Sequence, residues 1–216
     1  MMIVEEIMRT NLISLNKDDT IETALKILLE NHIRHIPIVD KENNLIGIIS
    51  DRDIRDASPS ILNKENNHEA LKNPIEKIMT RNVITIHPLD FVEEISAIFY
   101  EKEIACLPVT KEGKLVGVVT EKDMLHTLIQ LTGAHQPGTQ IEIKVKNVAG
   151  MLTNVTEIIG KKNVNIHSVL VYPDPKDANY KVLVFRIQTM NPMGIIAELK
   201  SHGYTVLWPN LPGITL

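Results

Sequence analysis

Ser50, Arg52 and Asp53 stand in the stretch Gly47-Ile48-Ile49-Ser50-Asp51-Arg52-Asp53-Ile54, and Thr120, Lys122 and Asp123 hold the matching places in Gly117-Val118-Val119-Thr120-Glu121-Lys122-Asp123-Met124. A hydroxyl, a cation and a carboxylate at this spacing suit a phosphorylated sugar. Each stretch reads as a buried β-branched strand feeding a helix, with glycine letting the backbone turn and the hydroxyl at the N-cap. N–H groups and a dipole at a helix start attract phosphate, the hydroxyl can join them, and the carboxylate can accept from sugar hydroxyls. The same residues also make a capping box, in which hydroxyl and carboxylate bond each other's backbone N–H groups. One copy alone would support only the cap; its return at matching places in two larger repeats favours a site.

Other chemistry finds less support. His32-Ile33-Arg34-His35 has a two-histidine spacing but spans a helix end and a strand start, with no carboxylate placed to help, so no metal is expected. Cys106 is the single cysteine, which excludes an internal disulfide, and beside Leu107 and Pro108 it reads as packing. No glycine-rich dinucleotide loop, phosphate-binding lysine loop, serine elbow or catalytic carboxylate pair occurs, so no catalytic residue is expected. The 216 residues, 44% hydrophobic and 23% charged, suit a globular protein of two domains or one large one. A net charge of −4 without a basic block argues against nucleic acid and anionic membrane, and 4% aromatic residues leave few platforms for bases. The acidic start, Met1-Met2-Ile3-Val4-Glu5-Glu6, carries no long apolar run, and a cytoplasmic protein is the expectation.

The two stretches close two repeats. Val4-Glu5-Glu6-Ile7-Met8 aligns with Ile75-Glu76-Lys77-Ile78-Met79, and the register holds through a short strand at Asn11-Leu12-Ile13-Ser14-Leu15 or Asn82-Val83-Ile84-Thr85-Ile86. An amphipathic helix follows, with Ile21, Ala24, Leu25 and Leu28 or Val92, Ile95 and Phe99 inward. A second strand carries Pro37 or Pro108, a turn follows, and the third strand leads into the closing helix. Each unit is therefore βαββα, spanning residues 1–57 and 75–131, with a polar connector at 58–74.

Periodicity stops at residues 132–138, a linker. Over 139–210 the pattern becomes βαββαβ: a strand with Ile141, Ile143 and Val145 on one face, a helix bearing Val155, Ile158 and Ile159, two strands around a tip at Tyr172-Pro173-Asp174-Pro175-Lys176-Asp177, a helix opened by Pro192, and a last strand to Trp208. That order makes a two-layer α+β unit with both helices on one face of a sheet.

The doubled unit, with Ile-Met before its first strand, a hydrophobic-Pro-hydrophobic second strand and Gly-x-x-Ser/Thr-x-x-Asp at its end, resembles a pair of CBS domains, the Bateman module. The last unit resembles a ferredoxin-like ACT domain. The combination is similar to the acetoin-utilisation type of bacterial protein. The resemblance implies a non-catalytic regulatory module, needing no obligatory cofactor, whose clefts bind AMP, ADP, ATP or another adenosyl compound. It assigns Asp53 and Asp123 to ribose, and Ser50 and Thr120 to phosphate or ribose. It places Leu12, Ile13, Val83 and Ile84 against adenine, with Ile33 and Ile104 on its other side, and makes Arg52 and Lys122 phosphate cations. In the ACT-like unit Asn147 and Gly150 keep the ends of a ligand loop that lacks its proline. A homodimer is expected, together with a partner enzyme that reads the ligand state; the alternative is a structural protein that only associates. Because the first repeat has Arg34, His35 and Arg55 where the second has Ala105, Cys106 and Leu125, the cleft built on Ser50 and Asp53 is expected to favour di- or triphosphates.

Overall fold

The computed structural model describes residues 2–57 and 69–209, so most of the expected connector lies outside the described residues. The chain forms two compact units, Met1–Leu125 and His126–Leu216. In the first, α1 (Val4–Ile7), α2 (Ile21–Glu30), β1 (His35–Val39), β2 (Leu45–Ser50) and α3 (Asp51–Ala57) are followed by a 3-10 turn at Ile75–Lys77. The second repeat supplies α4 (Val92–Lys102), β3 (Cys106–Lys111), β4 (Lys114–Thr120) and α5 (Glu121–Thr132), whose residues from His126 onward belong to the second unit.

Local chemistry explains these elements. Thr20 caps α2 by accepting from the Thr23 N–H at 3.2 Å, and the helix buries Ile21, Ala24 and Leu28 along one side. At the β1–β2 tip the Asp40 carboxylate accepts from the Glu42 and Asn44 N–H groups at 2.9 and 2.8 Å, and Asn43 takes the left-handed conformation that asparagine tolerates. The two hairpin tips bond each other, Leu115 N–H to the Asn43 carbonyl at 3.0 Å and Leu45 N–H to the Gly113 carbonyl at 3.2 Å. The first expected strand of each repeat is reduced to one parallel bridge, Leu15 with Ile38 and Ile86 with Val109.

The segments that open the two repeats are exchanged. Val4 is fully buried with Ile86, Ile95, Phe99, Leu107, Val109 and Val119 of the second repeat. Ile75 and Met79 are buried with Leu15, Ile21, Leu28, Ile36 and Ile54 of the first. Burying one such side chain contributes about 1.5–3 kcal/mol, so each repeat's core is completed by the other's leading segment. The backbone follows: Arg9 and Val118 exchange N–H···O bonds of 2.9 and 3.1 Å, and Thr80 and Ile48 exchange two of 2.9 Å.

This exchange corrects the expected role of the glycines. Gly47 and Gly117 lie inside β2 and β4, without the positive φ of a turn. A Cβ on Gly47 would lie 2.8 Å from Met79 Sδ and 3.1 Å from the Thr80 carbonyl oxygen; one on Gly117 would lie 2.6 Å from Met8 Sδ. Glycine is needed there so that the other repeat's Ile-Met segment can pass.

The second unit contains β5 (Thr139–Lys146), α6 (Met151–Gly160), β6 (Ile166–Pro173), β7 (Tyr180–Ile187), α7 (Met193–Ser201) and β8 (Thr205–Trp208). Its antiparallel sheet has the order β6-β7-β5-β8, and Ile141, Ile143, Leu183, Phe185 and Ile187 pack with Val155, Ile159, Ile195 and Leu199 of the two helices. The alternation read from the sequence is the one that faces the helices. No helix among the described residues is long and apolar enough to cross a membrane.

Candidate functional site

A cleft of about 530 Å³ opens in the first unit. Asn11, Leu12 and Ile13 enter it from the segment after the Arg9–Val118 bridge, His32, Ile33 and Arg34 from the turn between α2 and β1, and His35 from the start of β1. Thr120, Glu121 and Lys122 enter from the β4–α5 junction, with Ala105, Cys106 and Val118 between. The cleft combines apolar side chains that can flank a flat base with Arg9, Arg34 and Lys122, cations suited to phosphate.

Of the residues expected to bind, Leu12, Ile13, Ile33, Arg34, Thr120 and Lys122 line this cleft together. Ser50, Arg52, Asp53, Val83, Ile84, Ile104 and Asp123 do not, although Asp123 is bonded to Arg9 and Thr120, which do. The Thr80–Ile48 bridge brings the segment leading to Val83 and Ile84 onto β2, the strand that ends at Ser50. Each leading segment therefore serves the other repeat's hydroxyl-and-acid motif. Arg34 and His35 line the cleft with Thr120 and Lys122, yet His35 is also the β1 partner of Ser50 and the Arg34 carbonyl accepts from the Asp51 N–H at 3.0 Å, so both residues stand between the two motifs. Sequence alignment matched repeat to repeat, whereas the cleft is assembled across them.

Both motifs form capping boxes. Asp53 Oδ2 accepts from the Ser50 N–H and Oγ–H, each at 2.7 Å, and Ser50 Oγ accepts from the Asp53 N–H at 3.2 Å. Asp123 Oδ2 accepts from the Thr120 N–H at 2.9 Å and Oγ1–H at 2.5 Å. The second motif has an addition the first lacks: Arg9 donates to Asp123 Oδ1 from Nε at 2.9 Å and Nη2 at 2.7 Å. Burial alone would raise the Asp123 pKa, but the Arg9 guanidinium and the Thr120 donors hold it below the ordinary carboxylate value.

His35 is lowered from its usual value chiefly by burial, against the raising influence of Asp51 and Asp53. Burial, reinforced by the Asp123 charge, pushes the Cys106 thiol up to about 12, so it lines the cleft as an apolar group. Arg9 and Asn11 were not singled out from the sequence as ligand contacts, and His32 was weighed there only as a metal ligand. Arg9 in particular lies outside the repeated motif, where the other repeat has Thr80, and only the exchanged backbone bridge brings it to Asp123. Among the described residues no group of three or more His, Cys, Asp or Glu is placed to hold a metal.

In the second unit Asn147 borders a shallower cavity of about 350 Å³ with Lys146, Val148, Ala178, Asn179 and Tyr180. Gly150, at the N-cap of α6 with φ of 86°, does not line it. Beneath the same loops Lys144 bonds Asp174 at 2.6 Å and lies 4.5 Å from the centroid of the Tyr180 ring, which fixes the β6–β7 tip against β5.

Comparison with known proteins agrees with this architecture. The chain matches the CBS domain over residues 4–60 and 75–130 and the ACT domain over residues 139–203. A CBS domain-containing protein of Dictyostelium discoideum is 37% identical over 134 residues, covering 60% of this chain and 92% of that protein. Homoserine O-acetyltransferase of Methanococcus vannielii is 37% identical over 127 residues, covering 58% of this chain but only 25% of the enzyme. Among solved structures, one assigned to the acetoin utilization protein AcuB of Vibrio cholerae has a TM-score of 0.55 at 29% identity, covering 63% of this chain and 96% of that one. The CBS domain pair of protein MJ0100, in complex with 5′-methylthioadenosine and S-adenosyl-L-methionine, has a TM-score of 0.52 at 33% identity, covering 62% of this chain and 98% of that one. The chain belongs to the CBS domain family, as a tandem pair followed by an ACT domain.

Proposed function

We propose that the protein is a non-catalytic regulatory sensor whose effector is AMP, ADP, ATP or another adenosyl compound. The carrying observation is the cleft that joins Leu12, Ile13 and Ile33 to Arg9, Arg34, Thr120 and Lys122. The adenosyl ligands of the MJ0100 domain pair support the same class. Occupancy shifts an equilibrium between conformations, which a partner enzyme or the ACT domain reads. The likeness to the Vibrio cholerae protein supports a place in acetoin metabolism.

Thermal unfolding of the full chain against AMP, ADP, ATP, S-adenosylmethionine, methylthioadenosine and amino acids tests this. A ligand of the folded state at a hundredfold excess over its Kd adds about 2.7 kcal/mol, so at least one adenosyl compound raises the midpoint by several degrees. No shift with any adenosyl compound at millimolar concentration would sink the sensor reading. A shift with an amino acid instead would move the ligand to Asn147 and Gly150.

A specific observation also favours association. β6 is an edge strand of its sheet, and Val169, Leu170, Val171 and Tyr172 on it are exposed. An uncovered apolar edge is an open template for another strand, and pairing with a second copy would close it. Light scattering at micromolar concentration is expected to give a dimer mass, and Val171→Lys to shift it toward the monomer. A monomer in the unsubstituted chain would count against both this homodimer and the purely structural alternative.

A further inference from the structure

We infer that Arg9 acts as a latch on Asp123 and makes the Thr120–Lys122 cleft selective for phosphorylated over uncharged adenosyl ligands. The inference rests on the adenosyl reading of that cleft. An ionised carboxylate offers about four lone-pair sites. On Asp123 all four have partners: Thr120 N–H and Oγ1–H on Oδ2, and Arg9 Nε–H and Nη2–H on Oδ1. A ribose hydroxyl can therefore bond Asp123 only by displacing one of these donors, and the half-exposed Arg9 guanidinium, which is not part of the capping turn, is the one we assign to give way.

Displacement leaves the Arg9 main chain in place, because its two bonds to Val118 do not involve the side chain. The freed guanidinium stays in the cleft beside Arg34 and Lys122. A ligand carrying phosphate gives Arg9 a new anion with the same fork geometry, whereas an uncharged ligand breaks the ion pair and returns nothing. Charge and sugar are thus read together at one residue.

The other motif provides the contrast. Asp53 has the same two partners from Ser50 on Oδ2, but its Oδ1 has no partner among the described residues, and Thr80 stands where the second motif has Arg9. An uncharged or zwitterionic adenosyl compound meets no latch at Asp53.

Isothermal titration of the full chain with ADP and with adenosine tests this, using Asp53→Ala to silence the unlatched site. In that background ADP is expected to bind at least about tenfold tighter than adenosine, the ratio that one charge-assisted hydrogen bond supplies. Adding Arg9→Ala should weaken ADP, strengthen adenosine and bring the two affinities within about threefold of each other. Arg9→Gln, which keeps the stem, should do the same if the alanine variant melts early. An unchanged ratio in both variants overturns the latch while leaving the adenosyl reading intact. Absence of heat with either ligand in the unsubstituted chain removes the adenosyl reading, and the latch falls with it.

Discussion

Gly47→Val is expected to destabilise the first unit by at least about 1–3 kcal/mol, the usual cost of forcing extra carbons into a filled core. The first added atom would already lie 2.8 Å from Met79 Sδ and 3.1 Å from the Thr80 carbonyl oxygen. Methionine can repack, but the carbonyl is bonded to the Ile48 N–H at 2.9 Å and moves only if that bridge opens. Loss therefore reaches beyond packing to the exchange between repeats. Urea unfolding followed by circular dichroism gives the cost, and Met79→Ala in the same chain should recover part of it. An unaltered midpoint for Gly47→Val would show that the leading segment does not hold its place over β2.

Phe185→Ala should cost the second unit about 3–5 kcal/mol, the range for emptying a buried aromatic site. Phe185 is fully buried among Ile141, Ile143, Val155, Ile159 and Leu199, and its strand β7 is bonded on both sides, by β5 and β6. The cavity would open where strands and helices meet, with no edge nearby to collapse. Trp208, the single tryptophan, lies in β8 of the same sheet and reports the change directly by fluorescence during urea unfolding. A midpoint that does not move would mean that this core is not what holds the sheet.

The legible parts of the fold were those with a local cause. Periodicity located α2 and α4 because Ile21, Ala24 and Leu28, and Val92, Ile95 and Phe99, each turn one side inward. Alternation located β5 because Ile141, Ile143 and Val145 face the helices. Asn11 to Leu15 has strand composition but forms one bridge, because its Leu12 and Ile13 line the cleft instead of continuing a ladder. The hydroxyl-and-acid motifs were visible as residues, and their capping geometry followed. Their partners across the cleft were not, because Arg9 meets Asp123 over a separation of 114 residues and has no counterpart in the other repeat. Aligning one repeat with the other shows what they share; it cannot show which repeat's side chains point into the other's site.

The exchanged leading segments also set an order of assembly during synthesis. The first repeat's core waits for Ile75 and Met79, so it cannot close when Ile54 emerges. Val4 waits longer, until Leu107, Val109 and Val119 have been made, and only then can Arg9 find Val118. At about 5–20 residues per second the Val4 segment remains without these partners for several seconds or more. The Val4–Ile7 segment is thus the last piece of the first unit to be fastened, and the acidic pair Glu5 and Glu6, both exposed once it docks, keeps a short apolar segment soluble in the interval.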